Sequence, residues 1–153
     1  MPSVMLPIAL MTSGIVAGVL LGGELGIVPM FMRLPPAEYV RAHSFFAGRY
    51  DPFQPLCLLA AAVCDVVLAA TTPVAAARVL TIAAAATALS VGVVSRARTA
   101  PMGRFVKTLD PERLPEGWRS YDFRQQWGRW NKTRTGMAIA VLLLNVLVAG
   151  VLL

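Results

Sequence analysis

Acid–base chemistry has few candidate side chains in this sequence, and the first of them is a single histidine. His43 is the only histidine in the chain, and imidazole is the one side chain whose ordinary pKa falls between about 5 and 8. A lone histidine in a polar stretch is usually a surface residue. Residues 37–48, however, predict a helix with Glu38 in its first turn, which would place Tyr39, His43 and Phe46 on one face. His43 is therefore a candidate acid or base.

Three ionisable residues occur inside long apolar segments, where a charge is costly and marks a functional candidate by default. They are Glu24, Asp65 and Arg78. Asp65 and Arg78 lie at similar distances before and after a short turn, so they should lie at similar depth on adjacent antiparallel helices. We therefore expect a structural ion pair between them. Glu24 has two interpretations: an ion pair with Arg33 or Arg134, or an acid or base inside a cavity.

A third group of candidates follows one face of the helix predicted from about residue 119 into the last apolar segment. At 100° per residue, five side chains fall within about 120° of arc: Arg124, Trp127, Trp130, Asn131 and Arg134. Asn145 returns to this face deeper in the span. The face fits an interfacial anchor of aromatic and arginine side chains. It also fits the lining of a cavity, which would give the Asn145 amide a hydrogen-bond partner.

Four long apolar segments must position these groups. They cover about residues 4–30, 53–72, 74–95 and 135–153, each near the ~20 residues that a helix needs to cross ~30 Å of hydrocarbon. The 153-residue chain is 57% hydrophobic and 14% charged, with a mean hydropathy of +0.65, whereas soluble domains are about a quarter charged. The sequence predicts one integral membrane domain, residues 1–153. Its fold is all-α, a four-transmembrane-helix bundle with helices in the cytoplasmic loops.

The basic residues lie almost entirely between the apolar segments. Of the 14 Lys and Arg, ten fall between Arg96 and Arg134, three fall in segment 31–52, and only Arg78 lies elsewhere. Because cations collect in short cytoplasmic loops, segments 31–52 and 96–134 are predicted to be cytoplasmic. Both termini would then lie outside a bacterial cytoplasmic membrane. The net charge of +6 follows from this orientation, so no nucleic-acid partner is predicted, and the lipid bilayer is the expected partner.

The first apolar segment has glycine at every fourth position, at Gly14, Gly18, Gly22 and Gly26. Small residues at this spacing let two helix backbones approach closely in lipid. The stripe is expected to pack against another helix, either of the same chain or of a second copy in a homo-oligomer.

The start of the last span carries a short motif, Trp127-x3-Asn131-x2-Arg134. It resembles the Trp-x3-His/Asn-x2-Arg signature of the anthrone-oxygenase-like family, whose members are small four-helix integral membrane proteins. In size and hydropathy, the likeness extends over nearly the whole chain.

Two further segments are similar to this family. Arg41-x-His43 leads to Asp51 before the second span, and Pro101 follows the third span. Many members have Pro-x-Asn after the third span, whereas Gly103 stands at the Asn position here. Because of this difference, a role that the family's Asn has after the third span is not assigned to Gly103.

What the resemblance implies is oxidation of a hydrophobic, polycyclic, polyketide-type substrate, anthrone to quinone, in natural-product biosynthesis. His43 would be the catalytic base, assisted by Asp51 or Glu24, and Arg134 with Asn131 would stabilise the oxyanion. A second set of residues would bind the substrate: Trp127, Tyr50, Asn145 and Arg41. O2 is the expected co-substrate and no cofactor is predicted, although His43 with Asp51 or Glu24 could hold a heme or a metal.

Two other functions stay open at this point. The scaffold could carry a different reaction on such a substrate, as a membrane-bound cyclase or other tailoring enzyme. A non-enzymatic membrane protein, either a small transporter or an assembly subunit, belongs to a different class. Internal repeats or helices broken near the midplane would indicate a transporter, and neither is evident in the sequence.

Overall fold

All regular structure in the described part of the chain is helical. The computed structural model describes residues 2–50 and 53–152, and the predicted all-α fold is confirmed. Two junctions between helices are π-helical segments, Gly23–Ile27 and Ser95–Thr99. The α-helices are α1 (Pro2–Gly22), α2 (Val28–Arg33), α3 (Pro36–Tyr50), α4 (Phe53–Thr71), α5 (Ala75–Val94), α6 (Ala100–Lys107), α7 (Trp118–Tyr121) and α8 (Arg124–Leu152).

Four of these helices form a bundle. Both α1 and α5 pack against α4 and α8, so that α4 and α8 face each other across the centre. Four helical stretches are long and apolar enough to cross a membrane: Ser3–Arg33, Phe53–Thr71, Ala75–Lys107 and Trp118–Leu152. The chain therefore has the build of a small integral membrane protein.

The first and third spans continue past their apolar segments through the π turns. Each π segment is followed by a helix with proline in its first turn, Pro29 in α2 and Pro101 in α6. A proline ring crowds the carbonyl four residues earlier and donates no backbone hydrogen bond, and the wider π turn accommodates it. The extended helices reach into the basic segments, where α3 packs across them against α2, α4 and α6.

The predicted ion pair between Asp65 and Arg78 is wrong. Asp65 is fully buried and accepts a 3.5 Å hydrogen bond from Nδ2 of Asn145, which reaches it from α8 across the bundle centre. Arg78 is exposed and donates to the backbone carbonyl of Thr72 at 2.8 Å. Equal distances from a turn give similar depths but do not fix the direction around the helix axis. On α5, Ala77 faces the interior instead.

The Asp65–Asn145 contact is expected to stabilise the fold as a pair. Apolar layers flank it, with Ala62 on one side and Leu68 on the other, so either polar side chain alone would be buried without its partner. Asp65→Leu and Asn145→Leu should each lower the free energy of unfolding by about 1–3 kcal/mol, and the double variant should lower it by less than either. Unfolding titrations in mixed micelles measure these values. A double variant as unstable as the sum of the singles would contradict the pairing.

Most of the glycine stripe of the first span faces away from the bundle. A Cβ added at Gly18, Gly22 or Gly26 would meet no described atom within 4 Å, and one at Gly14 would approach only Leu142, at 3.9 Å. The described chain therefore leaves most of the stripe uncovered. Packing of the stripe against a second copy stays a prediction.

Candidate functional site

A cavity of about 480 Å³ lies at the end of the bundle that carries the basic segments, and its volume is typical of small-molecule sites. Its walls come from α1, α4 and α5 and from α3, α6 and the start of α8. The floor within the bundle is apolar: Val16, Val19, Leu20, Leu58 and Val91. The remaining wall includes five of the predicted site residues: His43, Tyr50, Trp127, Asn131 and Arg134.

His43 is buried in the cavity wall, with 4% of its surface exposed. Its ring stacks on Phe31 at 5.3 Å between centroids and meets Tyr39 and Trp127 edge-on at 5.4 and 5.5 Å. These four rings form the aromatic cluster. Gly103 of α6 leaves room beside it, since a Cβ there would lie 3.4 Å from Nε2 of His43. The predicted helix is confirmed as α3, and His43 on it lines the cavity.

Arg124 fixes the aromatic cluster at the end of α2. Its Nη1 donates to the backbone carbonyls of Phe31 at 3.0 Å and Leu34 at 2.7 Å, which have no partner further along α2. Its guanidinium lies 5.1 Å from the Tyr39 ring centroid, and its Nε donates to the Asp122 carboxylate at 2.8 Å. Burial and the nearby Asp122 raise the pKa of the Tyr39 phenol, so that hydroxyl stays protonated.

Asn131 and Arg134 follow Trp127 along α8 and join a hydrogen-bonded chain. Nδ2 of Asn131 donates to Oε2 of Glu24 at 2.9 Å, and Oδ1 of Asn131 accepts from Nη2 of Arg134 at 3.4 Å. Nη1 of Arg134 donates to the Thr99 hydroxyl at 2.6 Å. Glu24 is therefore linked to Arg134 through Asn131.

Both π segments contribute to this chain of hydrogen bonds. Gly23–Ile27 carries Glu24 and Ser95–Thr99 carries Thr99, and each segment packs against α8. Turns of this kind are frequent at functional sites, because the extra residue changes where the following side chains point. The Thr135 hydroxyl of α8 also donates to the backbone carbonyl of Leu20 in α1 at 3.3 Å.

No family model, curated protein or solved structure matches this chain. The resemblance to the anthrone-oxygenase-like family stays a prediction that depends on short motifs. The cavity and its side chains are therefore the basis for a functional assignment.

Of two predicted residues in the segment before the second span, the structure describes only Arg41, which does not line the cavity. Arg41 is exposed and forms an ion pair with Glu112. Arg41 precedes His43 by two residues, which is about 200° around a helix axis, so the two side chains point in opposite directions. Asp51 lies outside the described residues.

Asn145 is also separate from the cavity. It follows Arg134 by three helical turns, or about 16 Å along α8, and it donates its hydrogen bond to Asp65. Asn145 lies on the same side of α8 as Arg134, as predicted, but its greater depth along the helix places it in the bundle core. Tyr50, by contrast, lines the cavity and stacks on Phe46 at 6.3 Å.

Metal-ligating side chains do not gather anywhere in the described residues: no three His, Cys, Asp or Glu lie together in a way that could hold an ion. Cys57 and Cys64 are buried free thiols on α4. In the cavity itself, His43 is the one described side chain suited to ligate a heme or a metal.

The wall formed by the π segment Ser95–Thr99 and by α6 is not predicted by hydropathy. Thr99, Gly103 and Arg104 line the cavity, although the third apolar segment ends at Ser95. A weaker signal for this wall exists. No proline or glycine interrupts the helix between Ser95 and Pro101, and positions 96, 99 and 103 recur with the spacing of one helix face.

Proposed function

We propose that this protein is a membrane-embedded enzyme that oxidises a hydrophobic polycyclic phenolic ketone with O2, in the manner of anthrone to anthraquinone. The observation that carries the proposal is the position of His43 and the Arg134–Asn131 pair on the walls of one cavity with an apolar floor. A base and an oxyanion donor are the groups that this reaction needs. Trp127 and Tyr50 border the same space and offer flat surfaces to a polycyclic substrate.

The reaction begins when His43 takes a proton from the ring methylene of the substrate. The electron pair left on carbon delocalises to the ketone oxygen, and Arg134 with Asn131 stabilises the phenolate-like oxyanion. The same carbon then forms a bond to O2, and the peroxide takes up the proton from His43. Loss of the second C–H proton with cleavage of the O–O bond releases water. In total, one CH2 group and one O2 become one C=O group and one water.

The membrane suits a substrate of this class, because an apolar polycyclic molecule partitions into the bilayer. The apolar floor of the cavity is formed by α1, α4 and α5, which belong to three of the four helical stretches long and apolar enough to cross a membrane. We place the opposite, polar end on the cytoplasmic side of a bacterial membrane, because it lies among the basic segments.

This orientation predicts that both termini lie outside and that the region of Leu109 lies in the cytoplasm. Reporter fusions at the two termini and at Leu109, each active on only one side of the membrane, measure it. Thirteen of the 14 Lys and Arg would then lie on the cytoplasmic side, as the distribution of cations in membrane proteins requires. A cytoplasmic C-terminus would contradict both the orientation and the placement of the cavity.

Turnover of anthrone by purified protein in lipid nanodiscs tests the proposed function. We expect anthraquinone to form faster than in protein-free nanodiscs, with one O2 consumed for each quinone formed. An oxygen electrode and quinone absorbance give the two rates. Folded protein that accelerates neither O2 uptake nor quinone formation, with anthrone or with hydroxylated anthrones, would contradict the proposal.

A further inference from the structure

The charged side chains that line the cavity are concentrated on one wall. Its floor is apolar, whereas the wall from the end of α5 to α6 carries Arg96, Arg104 and Lys107. Among the described residues, no Asp or Glu is part of the lining. A bound molecule with an apolar body would therefore meet several cations and no described carboxylate at one edge.

Arg96 and Arg104 form no ion pair with an Asp or Glu of the described residues. Both are exposed, and neither has an acidic partner in the described part of the chain. Arg41 and Arg124, by comparison, are paired with Glu112 and Asp122. The two guanidinium groups at the cavity are therefore available to an anion.

The topology of the protein does not account for this arrangement. The positive-inside rule requires a basic segment but does not select which of its cations line a cavity. Arg98 shows the difference, because it shares the π segment with Arg96 yet turns away and lies 5.1 Å from the Trp130 ring centroid. Arg96 and Arg104 are about 12 Å apart along the helix, on the side where Gly103 keeps the wall open.

We propose that the cavity binds an amphipathic anion, a flat apolar molecule with an acidic oxygen group, carboxylate or phenolate, at one edge. The ring body would lie on the apolar floor, and the acidic group would pair with Arg96 and Arg104, whose planar guanidinium groups match the geometry of such oxygens. Arg134, on another wall of the cavity, would interact with the oxyanion that develops at the reacting ketone. This inference rests on the proposed function and narrows its substrate to acidic polycyclic ketones.

Two probes with the same ring system test the inference: 9-anthracenecarboxylate and the neutral 9-anthracenemethanol. Their binding to the protein in phosphatidylcholine nanodiscs is followed by fluorescence and corrected for protein-free nanodiscs. We expect the carboxylate to bind about tenfold more tightly, or about 1.4 kcal/mol. The double variant Arg96→Gln, Arg104→Gln should reduce this preference to less than about twofold.

The matched control is the double variant Arg98→Gln, Arg113→Gln, which removes the same charge from the same basic segment without touching the cavity lining. It should keep the tenfold preference. Equal binding of the two probes by the wild type would overturn the inference, as would a preference that survives the loss of Arg96 and Arg104. Size-exclusion profiles of the wild type and the two double variants in nanodiscs establish that the variants are folded.

A lipid headgroup is the alternative source of the anion. Phosphatidylglycerol added to the nanodiscs should not displace the carboxylate probe. Displacement that requires Arg96 and Arg104 would assign the site to a lipid and overturn the inference. The proposed function is tested separately: arginine-dependent binding without O2-dependent turnover would defeat that function alone. Turnover of anthrone without any preference for the anionic probe would defeat the inference alone.

Discussion

The His43→Ala protein is expected to oxidise anthrone about 10²–10⁴-fold more slowly than the wild type, which is the contribution of a positioned general base. His43 is buried against the rings of Phe31, Tyr39 and Trp127, so the variant also removes packing. His43→Phe keeps a ring at this position and should lose the same activity. Initial rates of quinone formation in nanodiscs measure both variants after their folding has been checked.

Gly103 provides an independent way to remove the same base. A Cβ at this position would lie 3.4 Å from Nε2 of His43, so Gly103→Ala should be tolerated. Gly103→Leu should cover Nε2 and slow turnover as His43→Ala does, although the imidazole is still present. Wild-type rates from folded His43→Ala and Gly103→Leu proteins would show that this imidazole is not the base.

Arg134→Ala is expected to lower kcat by about 10²–10³-fold, the usual effect of losing an oxyanion donor. The side chain is held by Thr99 and Asn131 at 2.6 and 3.4 Å, so its donors are oriented before the substrate binds. Arg134→Lys keeps the charge but not the planar set of donors, and it should restore only part of the rate.

Lys132→Ala is the control for Arg134. Lys132 lies two residues earlier on α8, is exposed, and does not line the cavity. Its replacement removes one positive charge from the same helix end and should leave kcat close to that of the wild type. Equal rates for folded Arg134→Ala and Lys132→Ala would exclude Arg134 as the oxyanion donor.

Hydropathy predicted the part of the fold that lies within the bilayer. Long apolar segments give the four spans, because a helix satisfies its backbone hydrogen bonds within one segment and so can cross hydrocarbon. Hydropathy does not report where a helix ends in water, and α5 continues through a π turn and α6 to Lys107. The prediction of Arg78 as the partner of Asp65 used only their depth and not their direction around the helix axis. Arg78 turns outward, whereas its neighbour Ala77 is buried.

The candidate site was predictable within single helices but not between them. Trp127, Asn131 and Arg134 share a face by simple periodicity, and all three line the cavity. The contacts of this face with Glu24 and Thr99 depend on two π turns. The extra residue of each turn interrupts the regular α-helical repeat, so that repeat no longer predicts where the side chains point.

The central claim is that His43 removes a methylene proton beside an oxyanion donor, and anaerobic deuterium exchange tests it most directly. Without O2 the reaction stops after proton removal, so deuterium lost to water from anthrone deuterated at its methylene carbon reports that step alone. We expect wild-type protein in nanodiscs to accelerate the loss over protein-free nanodiscs. Lys132→Ala should retain this acceleration and His43→Ala should abolish it. Exchange that is no faster with the wild type, or that is unchanged in folded His43→Ala, would contradict the claim.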